Sequence, residues 1–364
     1  MSQDHARFLF MMRVRPMHVF IAGGAGFLGS ALVPCLLDAG HHVTVLDRFF
    51  FGNDTLREST RSEPSGERLR LVRNDVRRIT GADLAGVDAV VYLAAISNDP
   101  ACELEPELTL DVNQHACLRL AALARERGVS RFVFASSCSV YGHGAAERLS
   151  EAAPLSPVSL YARCKANAER ELLDLGYAGV SVLRFATLFG VAGRPRFDLA
   201  VNVMTKNAYV KRSIMVEGGG RQWRPFVHVR DAARAIQLVL EAEPARVSRE
   251  IFNVGSDENN VRILTLAYRI RDAIPEAHIE VAPTDPDLRD YNVSFEKVRR
   301  VLDFSPRVSI EQGIHEVIDA LRRGSIDPNE RRCYTLAQYG FLAEVERTFE
   351  ALSLDGKMLG LRSV

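Results

Sequence analysis

The chain has 364 residues, 47% of them hydrophobic, with 46 Lys plus Arg set against 46 Asp plus Glu. That length and mix suit one large globular domain or two unequal ones, and the even charge argues against a nucleic-acid or anionic-membrane partner. The six cysteines (35, 102, 117, 138, 164, 333) form no CxxC pair and no Cys/His cluster, so reduced thiols, a cytoplasmic setting and no metal centre are expected.

Residues 1–16, MSQDHARFLFMMRVRP, read as a flexible leader. The run FLFMM is too short for a signal segment, and Arg13 and Arg15 follow it directly. Met11, Met12 and Met17 offer alternative starts. No run elsewhere approaches the ~20 apolar residues of a membrane span.

From Met17 short β-branched runs alternate with amphipathic stretches, the pattern of βαβ units around a parallel sheet. MHVFIAG reads as a strand, 27–39 as a helix and HHVTVLD as a strand. The polar segment 54–68 reads as a surface loop. LRLVRND and DAVVYLAA are the next strands, and a long helix is expected over 104–127. RFVFASS is a strand, 159–175 a helix and GVSVLRF a strand. The expected fold is α/β: a Rossmann-type doubly wound parallel sheet over residues 17–185.

After residue 186 Gly, Pro and Arg become frequent, as in VAGRPRFD and EGGGRQWRPF. Short strand signals (SIMVE, IFNVG, HIEVA) mix with helices near 198–212, 230–242, 262–273 and 310–322. A smaller α/β substrate lobe over 186–323 is expected, with some later segments returning to the first domain. The tail, 324–364, contains CYTLAQYGFLAEVERTFEAL, read as one or two docking helices with no assigned chemistry.

The stretch VFIAGGAGFLGS places Gly23, Gly24, Gly26 and Gly29 between a strand and a helix, with Phe27 and Leu28 opening that helix. Glycines there allow a tight turn and let the backbone approach a pyrophosphate at a helix N-terminus, so a dinucleotide is expected. Asp47 ends the second strand about twenty residues on, where a carboxylate accepts from ribose hydroxyls and repels a 2′-phosphate. That favours NAD over NADP, while Arg48 beside it is a candidate partner for a 2′-phosphate. Asp75, with Val76, follows the third strand and either reaches the adenine or caps the next helix.

In YARCK, Tyr161 and Lys165 are four residues apart and share one helical face. A free tyrosine, with pKa near 10, is a poor base at pH 7; a nearby ammonium favours the phenolate. About twenty residues upstream, FASSCSVYG closes a strand. With the glycine loop, these motifs resemble the extended short-chain dehydrogenase/reductase family, in particular its nucleotide-sugar epimerases and dehydratases. The resemblance runs from about Met17 to about Ala320.

The resemblance implies roles residue by residue. Tyr161 is the acid/base for a sugar hydroxyl, Lys165 binds the nicotinamide ribose and tunes Tyr161, and Ser137 hydrogen-bonds the reacting oxygen, with Cys138 and Ser139 beside it on the sugar side. Leu93, Ala94 and Ala95 form a small-residue turn along the cofactor, and Asn113 is the asparagine of the long helix. Arg224 in RPFVHVRD and Arg289 in DLRDYNVSF clamp a sugar-nucleotide diphosphate, and Asn202 touches the phosphates. Arg184 and His228 are expected to be structural. Ala186 and Thr187 stand where many relatives have asparagine, so the pocket near the sugar differs there.

Two stretches stay open. Ser97 and Asn98 face the sugar or cap the following helix. Phe49–Phe51 pack on the adenine or on a partner subunit. The family's 4,6-dehydratases carry an Asp-Glu pair directly after the catalytic Ser/Thr, whereas Cys138 and Ser139 occupy those positions here. Glu147 and Glu151 lie beyond the VYG turn and are expected to point elsewhere. The activity the resemblance implies is therefore NAD-dependent epimerisation of a nucleotide sugar through a keto intermediate. A keto-sugar-nucleotide reductase is the alternative. A non-catalytic NAD sensor is disfavoured because Tyr161 and Lys165 are both kept. Relatives pair through the helices at 104–127 and 159–175, which implies a homodimer.

Overall fold

The computed structural model describes residues 15–57, 65–144, 148–283 and 289–353. Residues 1–14 of the leader, 58–64 of the polar segment and Glu147 lie outside the described residues.

Six strands follow the expected order: β1 (His18–Ala22), β2 (His42–Asp47), β3 (Leu69–Arg73), β4 (Ala89–Tyr92), β5 (Arg131–Ser137) and β6 (Val180–Phe185). Between them lie α1 (Phe27–Asp38), α2 (Ala116–Glu126) and α3 (Leu160–Asp174). Then come β7 (Thr187–Phe189), α4 (Ala200–Lys211), β8 (Ser213–Val216), β9 (Trp223–His228), α5 (Val229–Glu241) and β10 (Glu250–Val254). The chain continues with β11 (Asn260–Arg262), α6 (Ile263–Ala273), β12 (His278–Val281), α7 (Glu296–Leu302), α8 (Ile310–Arg322) and α9 (Thr335–Leu352).

Seven strands form one parallel sheet in the order β10-β6-β5-β4-β1-β2-β3. Every residue of β4 and β6 is buried, because helices cover both faces. β1 shows how its side chains divide. Val19 and Ile21 join α1 and α5 in one core, while Phe20 and Ala22 join α2 and α3 in the other. The strand order reverses between β1 and β4, and a ligand cleft opens at such a switch point. A three-stranded sheet (β11-β9-β7) and a β12-β8 pair pack with α4, α6 and α8 around a third core containing Phe226, Leu266 and Ile314.

β7, β9 and β11 were not read from the sequence. β7 and β11 have three residues each, and β9 carries Pro225, a residue that weakens a strand signal. The long helix expected over 104–127 is interrupted. Pro106–Leu110 and α2 flank a π-helical turn, Asp111–His115, which contains the buried Asn113. Among the described residues no helix is long and apolar enough to cross a membrane.

Candidate active site

A chamber of about 1100 Å³ opens over the C-terminal ends of the central strands, with the smaller lobe as its far wall. The glycine loop forms its floor. Gly23 has φ 82°, and a Cβ there would lie 2.5 Å from the backbone of Ala94. The small-residue turn Leu93–Ala95 therefore runs against the loop, as only glycine allows. A Cβ at Gly26 would meet only the Gly23 carbonyl, at 3.7 Å, so the backbone there faces open space at the start of α1. Gly29, Phe27 and Leu28 continue the chamber wall along the first turn of α1. This cradle fits a pyrophosphate.

At one end of the chamber the Asp47 carboxylate accepts from Ala25 N (2.9 Å) and Phe49 N (2.8 Å), and burial raises its pKa. Arg48 is turned onto Asp75 (2.9 Å) and lies over the Phe50 ring. Asp75 caps the turn Val76–Arg78, accepting from Arg77 N at 2.9 Å. The Arg77 guanidinium holds its carboxyl well below the usual carboxylate range. Asp75 and Val76 both line the chamber.

Tyr161, Lys165 and Ser137 meet at the chamber's centre. Ser159 caps α3 through Ala162 N, and the helix then turns positions 161, 165 and 169 to one side. Ser137 ends β5 and hydrogen-bonds Tyr161, which favours the phenolate; burial, the larger effect, pushes the phenol above its ordinary value. Lys165 is buried and its pKa falls to about 8. Its Nζ donates to Ala135 O at 2.7 Å and lies over the rings of Phe134 (4.6 Å) and Tyr161 (5.8 Å). Glu169, the third residue on that face, takes Arg184 in a fork (2.7 and 3.0 Å) and Ser136 Oγ. Arg184 also donates to Tyr141 Oη, so this buried pair ties α3 to the ends of β5 and β6 and holds Tyr161 in place.

The far wall carries Arg224, Arg289 and Thr187. Arg224 donates to the carbonyl oxygens of Trp223 and Arg289, and Arg289 pairs with Asp99 at 2.8 Å. Ser97 lines the chamber and its Oγ accepts from Arg196 (3.2 Å). Asn98 caps the helix Asp99–Cys102 through Ala101 N.

Two sequence expectations need correction. Cys138 is not on the sugar side: it is 1% exposed, donates to the Arg184 carbonyl, and burial pushes its thiol well up. Ser139 takes the chamber-facing place, its Oγ buried with no partner among the described residues. Asn202 is committed to backbone, bonding Gly190 N, Gly190 O and Arg196 O at 2.9 Å each; Asn207, further along α4, lines the chamber instead. Asn113 is structural, in line with the resemblance: it bonds both Ile96 N (2.8 Å) and Ile96 O (3.0 Å) and braces the turn after β4 from behind. Phe50 and Phe51, left open above, line the chamber, and both rings sit edge-on to Tyr339 of α9, at 6.1 and 5.8 Å. Glu151 accepts from Asn253 N and is absent from the chamber wall, as expected.

Sequence reasoning missed three contributors: Arg194, Arg196 and α9. Arg196 forks onto Asp198 (2.9 and 3.1 Å). Arg194 is buried, its pKa lowered to about 9 by that burial and by Arg196, and its Nε has no partner among the described residues. The run VAGRPRFD marked the two arginines; only their folding back onto Ser30 of α1 brings them to the chamber.

The sequence model of the NAD dependent epimerase/dehydratase family matches residues 19–255. UDP-glucuronic acid decarboxylase 2 of Arabidopsis thaliana is 28% identical over 323 residues, covering 86% of this chain and 70% of its own. UDP-glucose 4-epimerase of Mycolicibacterium smegmatis is 30% identical over 324 residues, covering 85% of this chain and all of its own. Among solved structures, MoeE5 in complex with UDP-glucose and NAD is similar with a TM-score of 0.69 at 29% identity, over 85% of this chain and 100% of that one.

Proposed function

The chain belongs to the NAD dependent epimerase/dehydratase family, and from that membership we propose that it epimerises a nucleotide-activated sugar through a transient keto intermediate. NAD, the family's cofactor, supplies a reversible oxidant when bound. The chain's own work is to hold the sugar and to move one proton. Tyr161 takes the proton of a sugar hydroxyl, with Ser137 donating to the same oxygen, and later returns it. Lys165 keeps a positive charge beside the cofactor site. Arg224 and Arg289 bind the diphosphate from the far wall.

One observation weighs against dehydration and so supports this reading: neither residue directly after Ser137 is a usable second acid or base. Cys138 is buried with a raised thiol pKa, and Ser139 offers only a hydroxyl. Expelling water from a sugar needs a group able to protonate the leaving hydroxide. Removing and returning a single proton needs no such group. Mass spectrometry of the sugar nucleotide after incubation with the enzyme tests this. An isomer of unchanged mass supports it. Loss of water or carbon dioxide, or gain of two hydrogens, counts against it. The same reading expects a homodimer through α2 and α3.

A further inference from the structure

The C-terminal helix α9 lies along the cofactor chamber. Tyr339, Leu342, Ala343, Glu346, Arg347 and Glu350 all border the space that the glycine loop also borders. Their spacing makes one continuous helical face, ~16 Å long at 1.5 Å per residue. The first turn of the helix, Thr335–Gln338, is pinned by buried groups. Thr335 is 1% exposed; its Oγ1 accepts from Arg194 and its N donates to Asp198. Gln338 is 4% exposed, and its Nε2 donates to Phe50 O at 2.7 Å. Tyr339 wedges between α9 and the loop after β2, against Phe50 and Phe51, and also joins the cluster around Ile96 and Cys102 beside Tyr161. The second half is held differently. Its ion pair among the described residues is Arg347 to Glu105 at 3.1 Å, a pair 70% and 52% exposed. Exposed pairs of this kind contribute little.

We propose that α9 is the outer wall of the NAD site and acts as a hinged bar: its second half must swing off Glu105, and Tyr339 off the Phe50–Phe51 rings, before NAD enters or leaves. The inference rests on NAD binding and is independent of which sugar reaction follows. A bar of this kind keeps one cofactor molecule in place through many turnovers, which a reaction with no net redox change permits.

The test reads NAD, not turnover. Stopped-flow uptake by NAD-free protein and release into a large excess of a competing scavenger are followed for the full-length chain. Tyr339→Ala is expected to raise both rates at least tenfold, and Arg347→Glu, which sets two like charges at the exposed end, several-fold. Val345→Ser, on the solvent side of α9, is expected to change neither. A helix that merely touched the cofactor would raise release alone and leave uptake unchanged, and that result overturns the bar. So do wild-type rates in Arg347→Glu, whose exposed position keeps the test valid should Tyr339→Ala fold poorly. Wild-type protein that neither carries nor takes up NAD overturns the cofactor assignment itself, a separate outcome.

Discussion

The ammonium of Lys165 donates to the carbonyl oxygen of Ala135 at 2.7 Å and lies 5.8 Å from the centre of the Tyr161 ring. A lysine placed to lower the tyrosine's pKa is thus also held by backbone. Burial dominates both groups, raising Tyr161 and lowering Lys165 to about 8. A positive nicotinamide ring beside the pair would add charge that favours the phenolate.

Tyr161→Phe is expected to retain the fold and NAD binding while losing turnover by about 10²–10⁴-fold, the usual contribution of a positioned acid/base. The difference in near-ultraviolet phenolate absorbance between wild type and this variant measures the group directly. Without NAD it should not titrate below about pH 10, the ordinary tyrosine value. With NAD the transition should move down. A phenolate already formed at neutral pH in the NAD-free protein would contradict the burial argument.

Lys165→Met separates binding from stability. Burying an ammonium so that its pKa falls from 10.5 to about 8 costs about 3 kcal/mol. The methionine removes that cost but leaves the Ala135 carbonyl without its donor, at about 1–3 kcal/mol. The two nearly cancel, so the variant should melt within a few degrees of wild type at pH 7 while binding NAD more weakly. The sign with pH follows. A lysine whose folded pKa lies below its unfolded value carries its full penalty below about pH 8 and loses it as pH approaches 10.5. Wild type should gain on the variant across that window. Thermal melts at both ends of it check this.

NAD is expected to bind more tightly than NADP. Asp47 is held by Ala25 N and Phe49 N at the chamber's edge, and Arg48, the residue able to welcome a 2′-phosphate, is engaged with Asp75. Parallel titrations decide it. Asp75→Ala, which releases Arg48, should narrow the preference; an unchanged ratio would mean Arg48 has no part in it.

Arg289→Ala should weaken nucleoside diphosphate binding by roughly ten- to hundredfold, the loss of one charge-assisted contact of about 1.5–3 kcal/mol. NAD affinity should not change, since Arg289 sits on the far wall. Calorimetric titration with UDP and with NAD separates the two. Equal affinity for UDP in variant and wild type would move the diphosphate clamp elsewhere.

Cys138→Ser is expected to leave the sugar reaction within about twofold of wild type. Its thiol is sealed behind β5 against the Arg184 carbonyl. Its cost should appear as a modestly lower melting temperature, because the smaller hydroxyl fills less of that buried site. A large loss of activity with unchanged stability would place the side chain on the sugar after all.

The sequence by itself determined what depends on short-range geometry. Glycines at 23 and 26 between a strand and a helix mean a tight loop with open backbone, and Gly29 falls in the first turn of that helix. A Tyr and a Lys four apart on a helix share a face, because helical pitch alone requires it. The central strands were legible for the same reason: they are short β-branched runs, most of them covered on both sides, and the seventh, IFNVG, was read as a strand signal within the later segment. The tertiary structure decided every matter that turns on a partner far along the chain. Which way Cys138 and Ser139 face depends on the strand's end against Arg184, some 46 residues away. Asn202 bonds backbone and Asn207 borders the chamber because α4 packs with one side inward, and no local pattern distinguishes the two. Phe50 and Phe51 found their partner in Tyr339, and the tail read as docking helices became a wall of the active site. Aromatic and hydrogen-bond partners nearly 300 residues apart leave no periodicity to read; only the folded chain brings them within contact.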